Sequence, residues 1–161
     1  MRALVLGAET PVGRAIAAAL AEAGARLALV ASSSDAETAF AVQRLARRTG
    51  AVLSQAIDAT NEMAVRVMVR QVAKSLGGLD AVVFCADLGG QRAVALALAC
   101  RFTAREMARA GGGAIVIATA TPVSPPQGIP DSVRLLAIAP PAEPDDTWAR
   151  EVVSRLREPP P

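Results

Sequence analysis

Arg2-Ala3-Leu4-Val5-Leu6 is a short apolar run, Gly7-Ala8-Glu9-Thr10-Pro11-Val12-Gly13 is a glycine-bearing turn, and Arg14 to Glu22 has helical periodicity. Strand, glycine turn and helix in this order open a βαβ unit of the kind that binds a dinucleotide. A tight turn starts the helix beside a bound pyrophosphate, where the free N–H groups of its first turn meet the phosphate oxygens. Glycine lets the backbone approach closely and lets the helix pack near the sheet.

The rest of the chain repeats this unit. Val12, Ile16, Ala19, Leu20 and Ala23 give the first helix its buried stripe, and Gly24 ends it. Arg26 to Val30 is a second strand, and Ser32-Ser33-Ser34-Asp35 is a polar turn that caps a helix running to about Thr49. Ala51 to Ile57 is a third strand. Asp58-Ala59-Thr60-Asn61 then supplies N-caps for a helix with Val65, Met68, Val69, Val72 and Leu76 on one face. Ala81 to Cys85 is a fourth strand, Gln91 to Ala110 one long helix, and Ala114 to Ala118 a fifth strand. Helix-length spacers between apolar strands predict a parallel sheet with helices on both faces, an α/β fold. Thr121 to Pro130 breaks the rhythm, because its prolines exclude a helix. Val133 to Ile138 is a sixth strand, and a final helix follows Asp145-Asp146-Thr147. The prolines at 159–161 form a frayed tail.

Composition narrows the function classes. At 161 residues and 52% hydrophobic content the chain is one domain, 1–161, with a core filled by Ala, Val and Leu, since it has three Phe, one Trp and no Tyr. The net charge of +2 is small and its arginines are scattered, which argues against nucleic acid as a partner. No histidine is present, so common zinc sites, Ser-His-Asp triads and Cys-His pairs are excluded and no metal is expected. Cys85 and Cys100 stand alone and are expected to be reduced and buried. A chain that enters a strand at once, with no long apolar run, predicts no signal peptide, no membrane association and a cytoplasmic location.

The order of segments resembles the short-chain dehydrogenase/reductase family across nearly the whole chain. Gly7 to Gly13 is similar to that family's T-G-x-x-x-G-[IV]-G turn, with Leu6 where Thr is common. Asp58-Ala59-Thr60 looks like its D-V-[ST] segment, Phe84-Cys85-Ala86-Asp87 its N-N-A-G segment, and Gly112 to Ala120 its G-G-x-I-V-N-I-S-S segment. Val133 to Pro141 looks like the I-R-V-N-x-[IV]-x-P-G segment. The resemblance implies a Rossmann-like open parallel sheet of about six strands in the order 3-2-1-4-5-6. It also implies a nucleotide site at Gly7, Thr10, Val12, Gly13, Ser32, Ser33, Asp58, Ala59 and Ala86.

The departures from the family pattern point away from its usual chemistry. Pro11 replaces the middle glycine of the turn and has no N–H to give, and Glu9 brings a carboxylate where an anion should bind. Ala120 stands in the place of the catalytic serine. The Tyr-x-x-x-Lys helix is replaced by the proline-rich loop 121–131, and the one lysine, Lys74, ends the third helix far from the cleft. Hydride transfer to a carbonyl needs a proton donor at the oxygen. With no Tyr or His, Asp87 at the end of the fourth strand is the best-placed catalytic candidate, though a loop or capping role also suits it.

No acidic residue ends the second strand, so NADP is the cofactor implied, with Ser32, Ser33 and Arg14 near its extra phosphate. The function expected is a non-catalytic family member, keeping at most a weak NADP(H) site or acting as a binding or assembly protein. The alternative is an NADP-dependent oxidoreductase with non-standard catalytic residues. Loss of one of the two helices through which family members usually pair implies a homodimer through helix 91–110, with Val94, Leu98, Phe102 and Met107 as contacts. It also predicts bare sheet beside the fifth strand.

Overall fold

A computed structural model describes residues 1–159. Strands β1 (Arg2–Leu6), β2 (Arg26–Ala31), β3 (Leu53–Ala56), β4 (Ala81–Phe84), β5 (Gly113–Ile117) and β6 (Val133–Ala137) form one sheet in the order β3-β2-β1-β4-β5-β6. Every neighbouring pair is parallel. Helices α1 (Pro11–Glu22), α2 (Ala36–Thr49), α3 (Glu62–Leu76), α4 (Arg92–Arg109) and α5 (Asp146–Arg157) cover both faces. The expected fold class and strand order are therefore observed. The expected tail at 159–161 reaches past the described residues at 160–161.

Alternation along each strand builds two cores. Leu4, Leu6, Val30, Val82, Phe84, Ile115 and Ile117 point to the face covered by α3 and α4. Ala3, Val5, Leu29, Val83, Val116 and their neighbours point to the face covered by α1, α2 and α5. Strands buried on both faces read as continuous apolar runs, which is why they were visible in sequence. Side chains begin and end the helices as well. Thr10, Asp35, Asn61 and Asp145 accept from N–H groups at four N-termini, while Gly50 and Gly77 close α2 and α3 in left-handed conformation.

Two expectations about the region around β5 need correction. Phe102 and Met107 are not free for a partner: both are buried in the core of the monomer, because they face α3 and the sheet. Leu98 packs against the same core, and of the four only Val94 is exposed. Nor is the sheet left bare. The segment between β5 and β6 lays Val123 and Ile129 on the core, and Pro126 to Pro130 runs along Ala97, Cys100, Arg101, Ala104 and Arg105 of α4. A groove of about 420 Å³ remains between this strap and the helix. Apolar side chains spaced along an extended segment cover the same surface that a helix would.

At the opposite edge of the sheet one ion pair ties β1 to β4. Asp80 accepts from the Arg2 backbone N–H at 2.8 Å and from its guanidinium at 2.8 and 2.9 Å. The Arg2 guanidinium holds the Asp80 carboxyl below the usual carboxylate range.

Candidate functional site

The site lies where the strands end at their carboxyl edge, and Gly7 is its pivot. Its φ of +96° belongs to glycine, and a Cβ there would stand 2.5 Å from the Ala86 nitrogen and 2.7 Å from the Cys85 carbonyl carbon. Gly13 is equally constrained. A Cβ on it would run into the Gly7 carbonyl oxygen and come within 2.7 Å of Ala8 Cα. The first turn of α1 can therefore sit against the end of β1 only because both residues are glycine.

The turn spends most of its donors on itself. Gly7 N–H and Ala8 N–H donate to the Val30 carbonyl at 2.9 and 3.2 Å, and Thr10 N–H donates to the Gly7 carbonyl at 3.1 Å. Thr10 is an N-cap: its hydroxyl accepts from Gly13 N–H at 3.0 Å and lies 2.8 Å from the Gly7 carbonyl and 3.2 Å from that of Cys85. Pro11 occupies the first helical position, where a missing N–H costs no helical bond. The N–H groups of Glu9 and Val12 have no acceptor among the described residues. These are the donors left for a ligand, and Val12 N–H sits in the first turn of α1, where the helix favours negative charge.

Glu9 was expected to repel an anion from the turn. Its side chain instead crosses to the end of β2. There Ser32 N–H donates to both carboxylate oxygens, at 3.1 and 3.2 Å, and the Ser32 hydroxyl donates to Glu9 Oε1. Ser32 itself is 3% exposed. Arg14, expected near an extra phosphate, donates to the Glu9 carbonyl at 2.7 Å. Ser33 donates to Asp35 at 2.6 Å, and Asp35 accepts from Thr38 N–H at 2.9 Å as the cap of α2. The Ser33 hydroxyl and the Thr38 donors lower the Asp35 carboxyl to about 2. The Ser32 and Ser33 hydroxyls are therefore occupied by carboxylates, and of the two pairings the Glu9–Ser32 one is announced by no local sequence pattern.

Asp58, Ala59 and Ala86 line the same edge. Asp58 is exposed, and bonds from the Thr60 hydroxyl and N–H lower its pKa. Ala59 N–H donates to the Ser32 carbonyl at 3.3 Å, which joins the β3 and β2 ends. Ala59 and Ala86 are buried small residues, so the crevice floor stays low. Cys85 lies beneath the turn with its thiol 3.4 Å from the Leu6 and Gly7 carbonyls. Burial pushes that thiol up to about 12, so it stays protonated and inert at neutral pH.

The catalytic candidates fare differently. Asp87 is exposed and forms a 2.7 Å ion pair with Arg92, whose side chain is only 12% exposed at the start of α4. Arg92 was not singled out from sequence, where one arginine among many carries no signal; its Nε is buried without a partner. Ala120 is exposed past the end of β5, and the Thr119 hydroxyl donates to the Thr121 carbonyl at 2.9 Å. The structure thus gathers Gly7, Val12, Gly13, Ser32, Ala59 and Ala86 at one edge, with the Glu9 carboxylate bonded to Ser32 among them. A Cβ on either glycine would strike backbone, so the two glycines bring the start of α1 tight against the end of β1, and the two open N–H groups there are of the kind that suits a nucleotide's phosphates.

Sheet order, glycine turn and helix start together define a Rossmann-like α/β domain. The chain belongs to the short chain dehydrogenase family, whose pattern it matches over residues 1–99. It is 34% identical over 131 residues to D-threitol dehydrogenase of Mycolicibacterium smegmatis, covering 71% of this chain and 50% of that protein. The chain thus spans about half the length of the curated relative it matches. A short-chain type dehydrogenase/reductase structure from Mycobacterium marinum superposes with a TM-score of 0.62 at 31% identity, over 73% of this chain and 54% of that one. An alcohol dehydrogenase from the archaeon Thermococcus sibiricus, solved with 5-hydroxy-NADP, reaches a TM-score of 0.73 at 18% identity. It covers 98% of this chain and 91% of its own, a likeness of fold. No helix among the described residues is long and apolar enough to cross a membrane.

Proposed function

We propose that this chain is a nucleotide-binding member of the family that does not itself carry out alcohol–carbonyl hydride chemistry. One observation carries the reading: the glycine turn is kept, while the Ser, Tyr and Lys that the family uses to protonate a carbonyl oxygen have no counterpart after β5. Ala120 has no proton to give, no Tyr or His exists anywhere in the sequence, and the connection from β5 to β6 is a proline strap. Asp87, the catalytic candidate at the end of β4, is ion-paired with Arg92. A bound nicotinamide dinucleotide would supply hydride. This chain's own residues would hold it, with Gly7 and Gly13 letting α1 start tight against β1 and the N–H groups of Glu9 and Val12 meeting phosphate.

The test is a turnover screen with NADH and NADPH against aldehydes, ketones, quinones and flavins, run on protein saturated with cofactor. The expected result is cofactor binding without turnover above the buffer rate. Turnover that disappears in Asp87→Asn overturns the proposal.

A further inference from the structure

We propose that Glu9, reaching from the β1–α1 turn to the end of β2, selects a nucleotide whose adenosine ribose carries free hydroxyls and rejects one bearing a 2′-phosphate. The inference rests on the nucleotide-binding reading above and sharpens it. In dinucleotide-binding domains an acidic residue at the end of the second strand accepts from the ribose 2′-hydroxyl. Here residues Leu27 to Ser34 contain no Asp or Glu, and sequence alone therefore favours the phosphorylated cofactor. The missing carboxylate is supplied by a different element. Glu9 arrives from the neighbouring strand's turn and is held at that strand end by the N–H and hydroxyl of Ser32.

The geometry leaves work for this carboxylate. An ionised carboxylate offers about four lone-pair sites, and Ser32 uses only part of them. Glu9 Oε2 accepts a single 3.2 Å bond from Ser32 N–H, so a ribose hydroxyl can donate to it without displacing the serine. A phosphate dianion finds the opposite. The Ser32 and Ser33 hydroxyls already donate to Glu9 and Asp35. Asp35 also caps α2, so the helix start there is no longer an open anion site. Asp58 and Glu37 add negative charge from the β3–α3 connection and the first turn of α2. Arg14 is the cation of this turn, and its Nη1 is bonded to the Glu9 carbonyl. Asp35, Glu37 and Asp58 are exposed, so salt screens their repulsion of a 2′-phosphate, and the Glu9 carboxylate held at the buried Ser32 is the charge that phosphate meets first.

The experiment is a calorimetric titration of the full chain with NADH and with NADPH, at low and at high salt, for the wild type and for Glu9→Gln. The wild type is expected to bind NADH at least about tenfold more tightly at low salt, with a gap that narrows as salt screens the repulsion. Glu9→Gln is expected to close most of the gap by tightening NADPH binding, and circular dichroism establishes that it is folded. Equal affinities in the wild type, a preference for NADPH, or a ratio that neither salt nor the variant changes would overturn the proposal. Binding of neither nucleotide would overturn the nucleotide-binding reading itself, and this inference with it.

Discussion

The end of β1 and the end of β5 lie on the same edge of one sheet and are finished in opposite ways. After β1 the chain turns through two glycines so tightly placed that neither tolerates a Cβ, and α1 begins at once. After β5 it leaves as a proline-rich strap that lays Val123 and Ile129 on the core and runs along α4 at 126–130. The first end keeps a geometry with no structural need beyond close packing and ligand approach. The second keeps only the burial that the fold requires. In a parallel sheet the connections outside the strands are not part of the ladder, so two strand ends on one edge can be finished in different ways without disturbing the sheet. The family match over residues 1–99 follows the same division, ending before β5.

Substitutions can break this contrast, beginning with the cradle. Gly7→Ala forces a β-carbon into the Ala86 backbone at positive φ and is expected to cost about 2–4 kcal/mol in denaturant unfolding, with loss of nucleotide binding. Met107→Ala, in the core beneath α4, is expected to cost about 2–4 kcal/mol and to leave nucleotide affinity unchanged. Ile129→Ala tests the strap. Its side chain is half-buried, so a loss near 1 kcal/mol is expected, and hydrogen exchange should speed up along the 121–131 segment while the β1 turn stays protected.

Asp80→Asn probes the far edge of the sheet, away from both connections. The native carboxyl is held low by Arg2, so its stabilisation is full above the unfolded value near pH 4 and is lost as pH falls through the folded one. Both side chains are over a third exposed, and screening limits the effect to about 1 kcal/mol at neutral pH. The variant should also flatten the acid limb of the stability curve. Val94→Ser, on the exposed face of α4, is expected to change stability by less than about 0.5 kcal/mol.

Much of the fold was legible because the four inner strands are buried on both faces and most helices are bounded by a cap or a glycine. Arg2–Leu6 needed only its apolar run and the glycine after it. What escaped were contacts between segments that no local rule joins. Glu9 stands 23 positions before Ser32, and only the β2–β1 adjacency brings them together. The burial of Phe102 and Met107 depends on how α4 rotates against α3, which a helix with apolar residues on several faces leaves open. The strap was legible as a break in the rhythm, but its docking on α4 was not, since prolines announce an extended chain without saying what it covers.

The most direct measurement is a backbone amide NMR titration of the labelled chain with NADH. The account predicts shifts concentrated at Gly7 to Gly13, Ser32, Ala59 and Ala86, largest at the open N–H groups of Glu9 and Val12, with the 121–131 strap unmoved. Shifts centred on the strap and α4 with a silent glycine turn would contradict it.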